Sequence, residues 1–170
     1  MKPISAGNSF LVFFVLSILA LSVQAQATGG APKPAASKTT TEIVVPGDTG
    51  LKWVNTGITV AIGDTVRLDA KGEVDVGGAY GTHGPEGTTD FSEQPPGYYP
   101  LETQMRYGLA ARITLGSGRK YLPTQTWVYG EAKEKIVTKS GILWLTVNDD
   151  APDGNTGQFT VKVTVVKKKK

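Results

Sequence analysis

Short runs in which apolar and polar residues alternate recur along most of this chain. The pattern is clearest over residues 65–70, where Val66, Leu68 and Ala70 fall on one face of an extended chain. Runs of this kind, bounded by Gly, Pro and Asn, are typical of β-strands. The other predicted strands are residues 41–46, 52–54, 58–62, 109–115, 125–129, 133–138, 142–147 and 159–165.

These strands predict an all-β fold, an antiparallel β-sandwich of jelly-roll or galactose-binding-like type. No segment shows a convincing amphipathic helix period, because the nearest candidate, residues 104–112, is interrupted by charged and glycine positions. Residues 133–138 and 142–147 are expected to pair with each other as a hairpin across residues 139–141.

The first 25 residues predict a secretory signal peptide. Lys2 provides a basic start, residues 10–20 are almost wholly apolar, and Val23 and Ala25 supply the small side chains of a cleavage site. The apolar run is too short for a comfortable membrane span. The mature protein is therefore expected to be secreted or periplasmic, with no membrane span.

The remaining chain divides into three predicted parts. Residues 26–41 are rich in small and polar residues and are expected to form a flexible linker. Residues 42–166 form one domain of ordinary size, and residues 167–170 are a basic tail that we expect to be solvated. The chain contains no cysteine, so core burial, metal binding or assembly must stabilise the exported domain.

The charge of the domain argues against a nucleic-acid partner. The whole chain carries a net charge of +3, but residues 42–166 contain 11 basic and 15 acidic residues, which leaves −4. Affinity for nucleic acid depends on neutralising phosphates with basic side chains, so an acidic domain is a poor binder.

The segment at residues 148–157 is unusually rich in oxygen ligands. It holds three carboxylates, those of Asp149, Asp150 and Asp153, and the side-chain amides of Asn148 and Asn155. Ca²⁺ in proteins takes such oxygens. The same residues are also turn formers, so a plain hairpin turn is the alternative. A hairpin needs only two to five loop residues, and this loop is longer.

Residues 77–100 form a long Gly- and Pro-rich stretch, which in a compact domain is usually functional. It contains His83, the only histidine of the chain. His83 has two interpretations, a sugar contact or a hydrogen bond to the backbone. Tyr98 and Tyr99 suit either stacking on a sugar face or pinning the loop to the sandwich.

The sequence does not favour an enzyme. It has no cysteine nucleophile, one histidine, and no G-x-S-x-G motif to present a catalytic serine. Zinc sites need several His or Cys ligands, so a zinc enzyme is also disfavoured.

Several segments together resemble the PA-IL-like lectins, a calcium-dependent, galactose-binding family of bacterial β-sandwiches. No single segment is specific, but their order and spacing match over most of the domain. The matching segments are residues 53–58, 63–66, 70–74, 83–87, 109–113, 143–149 and 155–161.

The resemblance implies a Ca²⁺ site and a sugar site that share residues. Asp149 is implied to ligate Ca²⁺ and to contact the sugar, and Asn155 is implied as a second ligand and sugar contact. Two main-chain carbonyls complete the implied set. The candidates for them are Val76 or Gly77, and Ala151 or Pro152.

This chain also departs from the family pattern. The loop is about two residues shorter, and Gly154-Asn155 stands where the family has paired asparagines. Asp153 is expected to replace the missing side chain, with Asp150 as a further candidate ligand. In the long loop the family's sugar-contacting residues have no clear counterpart, and His83 and Asp90 are the candidates there.

We therefore expect a secreted, non-catalytic, lectin-like module in which Ca²⁺ bridges protein carboxylates and the hydroxyls of a galactoside or another glycan. Such modules often form homo-oligomers, because several weak sites gain avidity together. The alternative is a structural or adhesive envelope β-sandwich that has lost sugar binding.

Overall fold

The computed structural model describes residues 36–90, 99–102, 105–115 and 123–169. These residues form nine strands and one short 3₁₀ turn at Gly50–Lys52. The strands are β1 (Lys38–Pro46), β2 (Val54–Val60), β3 (Thr65–Asp75), β4 (Thr82–His83), β5 (Leu109–Thr114), β6 (Pro123–Val128), β7 (Glu134–Ile136), β8 (Gly141–Val147) and β9 (Thr156–Val166). No helix of the described part is long and apolar enough to cross a bilayer.

The strands form two antiparallel sheets, which confirms the predicted β-sandwich. The first sheet has the order β1-β9-β3-β4, and β7 pairs with the other half of the β3 edge. β9 pairs with both β1 and β3, and its Phe159 lies opposite Val45 on β1 and opposite Gly72 on β3. The second sheet has the order β2-β8-β5-β6.

The hairpin expected between residues 133–138 and 142–147 is wrong. β7 pairs with β3 in the first sheet, whereas β8 pairs with β2 and β5 in the second. The segment between them therefore crosses from one sheet to the other. The same is true of the acidic loop after β8, because β9 lies in the first sheet. The plain-hairpin interpretation of residues 148–157 is thus also excluded.

Inward-facing residues of both sheets build the core. Phe159, Leu68, Leu109 and Leu145 are each at most 1% exposed, and Val161 and Val163 continue the alternation along β9. Strands with one buried face show this period of two. The other members are Val, Leu, Ile and Ala side chains together with the rings of Trp127 and Tyr129, so the core is mainly aliphatic.

Trp53 and Trp144 are buried, but not in the main core. Trp144 lies between Leu143 and Leu145, which face the core, so the strand alternation directs it to the opposite face of the second sheet. There it packs with Trp53 in a second cluster. The Arg112 guanidinium lies 4.2 Å from the Trp53 ring centroid, and this cation–π contact covers the cluster with charge.

The predicted domain boundaries differ from the strand boundaries at both ends. The signal peptide, residues 1–25, and most of the linker lie outside the described residues, but β1 already begins at Lys38, within the predicted linker. The basic tail is not simply solvated. The Lys167 ammonium lies 2.8 Å from Asp64 Oδ2, and the Lys168 N–H donates to Asp64 Oδ1 at 3.1 Å.

Asp64 is buried in the turn between β2 and β3, where three donors hold its carboxylate. Burial alone would raise its pKa, but the hydrogen bonds from Lys167, from the Ala61 N–H and from the Lys168 N–H outweigh it and lower the pKa. A carboxyl whose folded-state pKa lies below the unfolded value stabilises the fold at neutral pH. That stabilisation is lost as the pH falls through the folded-state pKa.

Asp64→Asn is accordingly expected to lower the free energy of unfolding by about 1–2 kcal/mol at pH 7, because charge-assisted hydrogen bonds are replaced by neutral ones. Thermal melts at several pH values measure this. The difference from the wild-type protein should shrink below about pH 4, as the wild-type carboxyl also protonates. Asp48→Asn, at an exposed aspartate, is the matched control. A difference that persists at low pH would contradict the assignment.

Candidate functional site

A cleft of about 470 Å³ lies where three connections of the sandwich meet. These are the turn between β3 and β4, the segment that precedes β5, and the loop between β8 and β9. Polar and aromatic side chains dominate its walls. The lining residues are Val76, Tyr80, Tyr99, Tyr107, Asp149, Asp150 and Ala151. The predicted acidic loop and the predicted aromatic loop therefore face the same cavity.

Asp149 lies at the base of this cleft and is only 3% exposed. Its Oδ1 accepts a hydrogen bond from the Ala151 N–H at 3.0 Å, and its Oδ2 accepts one from Asn155 Nδ2 at 2.6 Å. Both donors are neutral. Among the described residues no basic side chain forms an ion pair with Asp149. A buried carboxylate without a cationic partner is costly, which makes this position a candidate for a bound cation.

Asn155 is brought to Asp149 by a tight turn. Its N–H donates to the Pro152 carbonyl at 3.1 Å, and Gly154 completes the turn with a φ of 94°. The amide nitrogen also donates to the Gly47 carbonyl at 3.2 Å. A half-turn of the amide exchanges its oxygen and nitrogen, so this side chain can offer an acceptor to the same position.

The same turn carries Asp153 away from the cleft. The side chain of Asp153 is 97% exposed, and its carboxylate lies 4.0 Å from the Lys52 ammonium. Asp153 occupies the outer corner of the turn between Pro152 and Asn155, where a side chain projects into solvent. The structure therefore does not bring Asp153 to Asp149, as the expected ligand set required. Asp150, by contrast, is half-buried and lines the cleft.

In each of the two pairs of candidate carbonyl ligands, one residue lines the cleft and the other does not. Val76 and Ala151 line the cleft, whereas Gly77 and Pro152 do not. The Gly77 carbonyl accepts from the N–H groups of the turn that follows it, and the Pro152 carbonyl accepts from Asn155. Pro152 instead packs on the 3₁₀ turn, since a Cβ on Gly50 would overlap its ring.

Tyr107 is a residue of the cleft that the sequence did not single out. Its ring is 3% exposed and stands at the centre of an aromatic group, 5.7 Å from the Tyr80 ring and 6.5 Å from the Tyr99 ring. Its φ of 60° is a left-handed conformation that few non-glycine residues adopt. The Tyr107 N–H donates to the Asn148 carbonyl at 2.9 Å, which fixes the ring beside Asp149.

Burial raises the pKa of Tyr107 well above the ordinary tyrosine value. The hydrogen bond to Tyr99 and the negative charge of Asp149 act in the same direction. Burial also raises the pKa of Tyr99, with a contribution from the charge of Asp150. Both phenols are therefore neutral at physiological pH, and they can donate as well as accept hydrogen bonds.

His83 lies behind the aromatic wall. Its ring stacks on Tyr107 with centroids 5.0 Å apart, and its Nε2–H donates to the Tyr80 carbonyl at 2.7 Å. This is the backbone hydrogen bond of the two interpretations, and it makes His83 a positioning residue. Asp90 is exposed, and its N–H donates to Thr88 Oγ1 at 3.1 Å. Neither side chain lines the cleft.

The side chains at the base of the cleft offer oxygen atoms as metal ligands. These are the carboxylates of Asp149 and Asp150 and the amide of Asn155, and Val76 and Ala151 line the same cleft. The described residues contain no group of three His, Cys, Asp or Glu side chains that would hold a metal by themselves. Mixed carboxylate, amide and carbonyl oxygens are instead the set that suits Ca²⁺.

Taken together, fold and site define an antiparallel β-sandwich with an acidic, tyrosine-walled cleft at the junction of its loops. A solved structure described as the EclA N-terminal domain, a PllA-like lectin, matches this chain with a TM-score of 0.50 and 23% sequence identity. The match covers 73% of this chain and 94% of that chain. At this identity the likeness establishes the fold. No protein-family model and no curated protein matches the chain.

Proposed function

We propose that this protein is a non-catalytic, calcium-dependent carbohydrate-binding module of lectin type. The observation that carries the proposal is the buried Asp149 carboxylate, held by Ala151 and Asn155 at the base of a cleft with tyrosine walls. The fold shared with a domain described as a PllA-like lectin supports the same function. We further propose export of the protein, a galactoside as the first sugar to test, and homo-oligomers as the form that gives avidity.

Asp149, Asp150 and Asn155 would hold Ca²⁺, with main-chain oxygen from Val76 and Ala151. When bound, Ca²⁺ supplies open coordination positions for two neighbouring sugar hydroxyls. The carboxylates accept hydrogen bonds from the hydroxyl protons, since an ionised carboxylate is an acceptor only. Aromatic rings suit the apolar C–H faces of a sugar, and the cleft offers Tyr80 for that contact.

The proposed binding role makes no direct use of His83, the only histidine of the chain. Its Nε2–H donates to the Tyr80 carbonyl, and the residue does not line the cleft.

One observation favours a second candidate, a structural or adhesive module without a sugar site. Asp153, the residue expected to compensate for the shortened loop, faces solvent beside Lys52 instead of the cleft. The side-chain ligand set is therefore smaller than the resemblance implies, and a weak ion site would leave the sugar site weak.

A glycan array run in Ca²⁺ and again in chelator separates the two candidates. We expect binding to neutral glycans in Ca²⁺ and none in chelator. Galactosides should be among the ligands if the sugar implied by the resemblance is correct. Absence of any ligand in Ca²⁺ would favour the structural module, and equal binding in both conditions would contradict the role of the ion.

A further inference from the structure

Arg106 holds the hydroxyl of Tyr99. Its Nη1 donates to that oxygen at 3.2 Å, and the guanidinium carbon lies 4.5 Å from the Tyr99 ring centroid. The Tyr107 ring lies against the Tyr99 ring with centroids 6.5 Å apart, and the contact between the two hydroxyls raises the pKa of Tyr107. Arg106 is 5% exposed, so the side chain that donates to Tyr99 is itself fixed in the protein interior.

The hydrogen bond from Arg106 occupies one acceptor lone pair of the Tyr99 oxygen. A phenol has two such lone pairs and one proton to donate, and the proton must point away from the guanidinium that donates to the same oxygen. Tyr99 lines the cleft, so its remaining capacity is directed to a molecule bound there.

The carboxylates of the cleft accept hydrogen bonds, whereas Tyr99 can donate one. Asp149 and Asp150 are acceptors when ionised, and Tyr99 lies close enough to Asp150 for its charge to act on the phenol. A ligand that satisfies both sides must donate protons to the carboxylates and accept one from Tyr99. Sugar hydroxyls do both, and a ring oxygen also accepts.

Building on the proposed function, we propose that Tyr99 is a specificity-determining residue that donates a hydrogen bond to an acceptor oxygen of a neutral pyranoside in this cleft. The apolar face of the pyranoside lies against Tyr80, whose side chain is 40% exposed. Tyr107 and Arg106 act through Tyr99 and are positioning residues.

The test is Tyr99→Phe, which keeps the ring over Arg106 and removes only the hydroxyl. The probes are methyl glycosides of galactose, glucose and mannose, titrated calorimetrically into protein saturated with Ca²⁺. For the glycoside that the wild-type protein binds most tightly, we expect a five- to tenfold loss of affinity, roughly the effect of one hydrogen bond. Affinity for Ca²⁺, titrated without sugar, should not change.

The acceptor is located by repeating the titrations with single-deoxy analogues of that glycoside. The analogue that lacks the oxygen accepting from Tyr99 should bind the wild-type protein more weakly than the parent glycoside does. Tyr99→Phe should bind this analogue and the parent glycoside equally well. Tyr129→Phe, in the core and outside the cleft, is the matched control and should bind like the wild-type protein.

The outcomes distinguish the two proposals. Unchanged glycoside affinity in Tyr99→Phe, with sugar binding by the wild-type protein, would overturn the role of Tyr99 and leave the proposed function standing. Loss of Ca²⁺ affinity in Tyr99→Phe would also overturn it, because the residue would then act on the ion site. Absence of sugar binding in the wild-type protein would overturn both.

Discussion

Replacing Asp149 by asparagine is expected to reduce affinity for Ca²⁺ on the order of 100-fold and to abolish sugar binding on an array. The substitution keeps the size of the side chain and one acceptor oxygen but removes the buried negative charge. Affinity for Ca²⁺ depends strongly on the number of charged ligands. Calorimetric titration of Ca²⁺ into chelator-stripped protein measures the first effect, and the array measures the second.

Asp153→Asn is the matched control, because it makes the same chemical change in the same loop at a side chain that faces solvent. Its side chain is 97% exposed and pairs weakly with Lys52, so Ca²⁺ and sugar binding should remain within about twofold of the wild-type protein. Equal losses in the two variants would show that the general charge of the loop matters, and would contradict a specific role for Asp149.

The fold was predictable from the sequence because a period of two identifies strands with one buried face. Residues 65–70 and 159–165 show the alternation in the sequence and lie side by side in the first sheet. The partner of a strand is not encoded in that way. β7 has only three residues. The alternation of so short a strand does not show whether it pairs with β3 in the first sheet or with β8 in the second.

The candidate site was predictable where neighbours in the sequence are neighbours in space. Asp149 and Asn155 are six residues apart in the sequence, and Asn155 Nδ2 lies 2.6 Å from Asp149 Oδ2. The solvent-facing position of Asp153 was not predictable, because composition does not reveal which corner of a turn a side chain occupies. Tyr107 was missed because a tyrosine gives no sign of a positive φ, and its contacts with Tyr80 and Asn148 are distant in sequence.

Removal of Ca²⁺ is expected to lower the melting temperature of the protein by about 10 °C. A ligand that binds only the native state stabilises it by about 2.7 kcal/mol when present at a hundredfold excess over its dissociation constant. For a domain of this size each kcal/mol shifts the melting temperature by about 4 °C. Differential scanning calorimetry with saturating Ca²⁺ and with excess chelator measures the shift.

The physical basis of this shift is the burial of Asp149. In the described structure its carboxylate is held by neutral donors alone, so a cation there offsets a desolvation cost that hydrogen bonds only partly meet. Asp149→Asn should therefore remove the difference between Ca²⁺ and chelator, while Asp153→Asn should retain it. Identical melting temperatures for the wild-type protein in Ca²⁺ and in chelator would show that the cleft holds no ion, whatever the array finds. Sugar binding that survives chelation would then have to depend on the tyrosines and carboxylates alone.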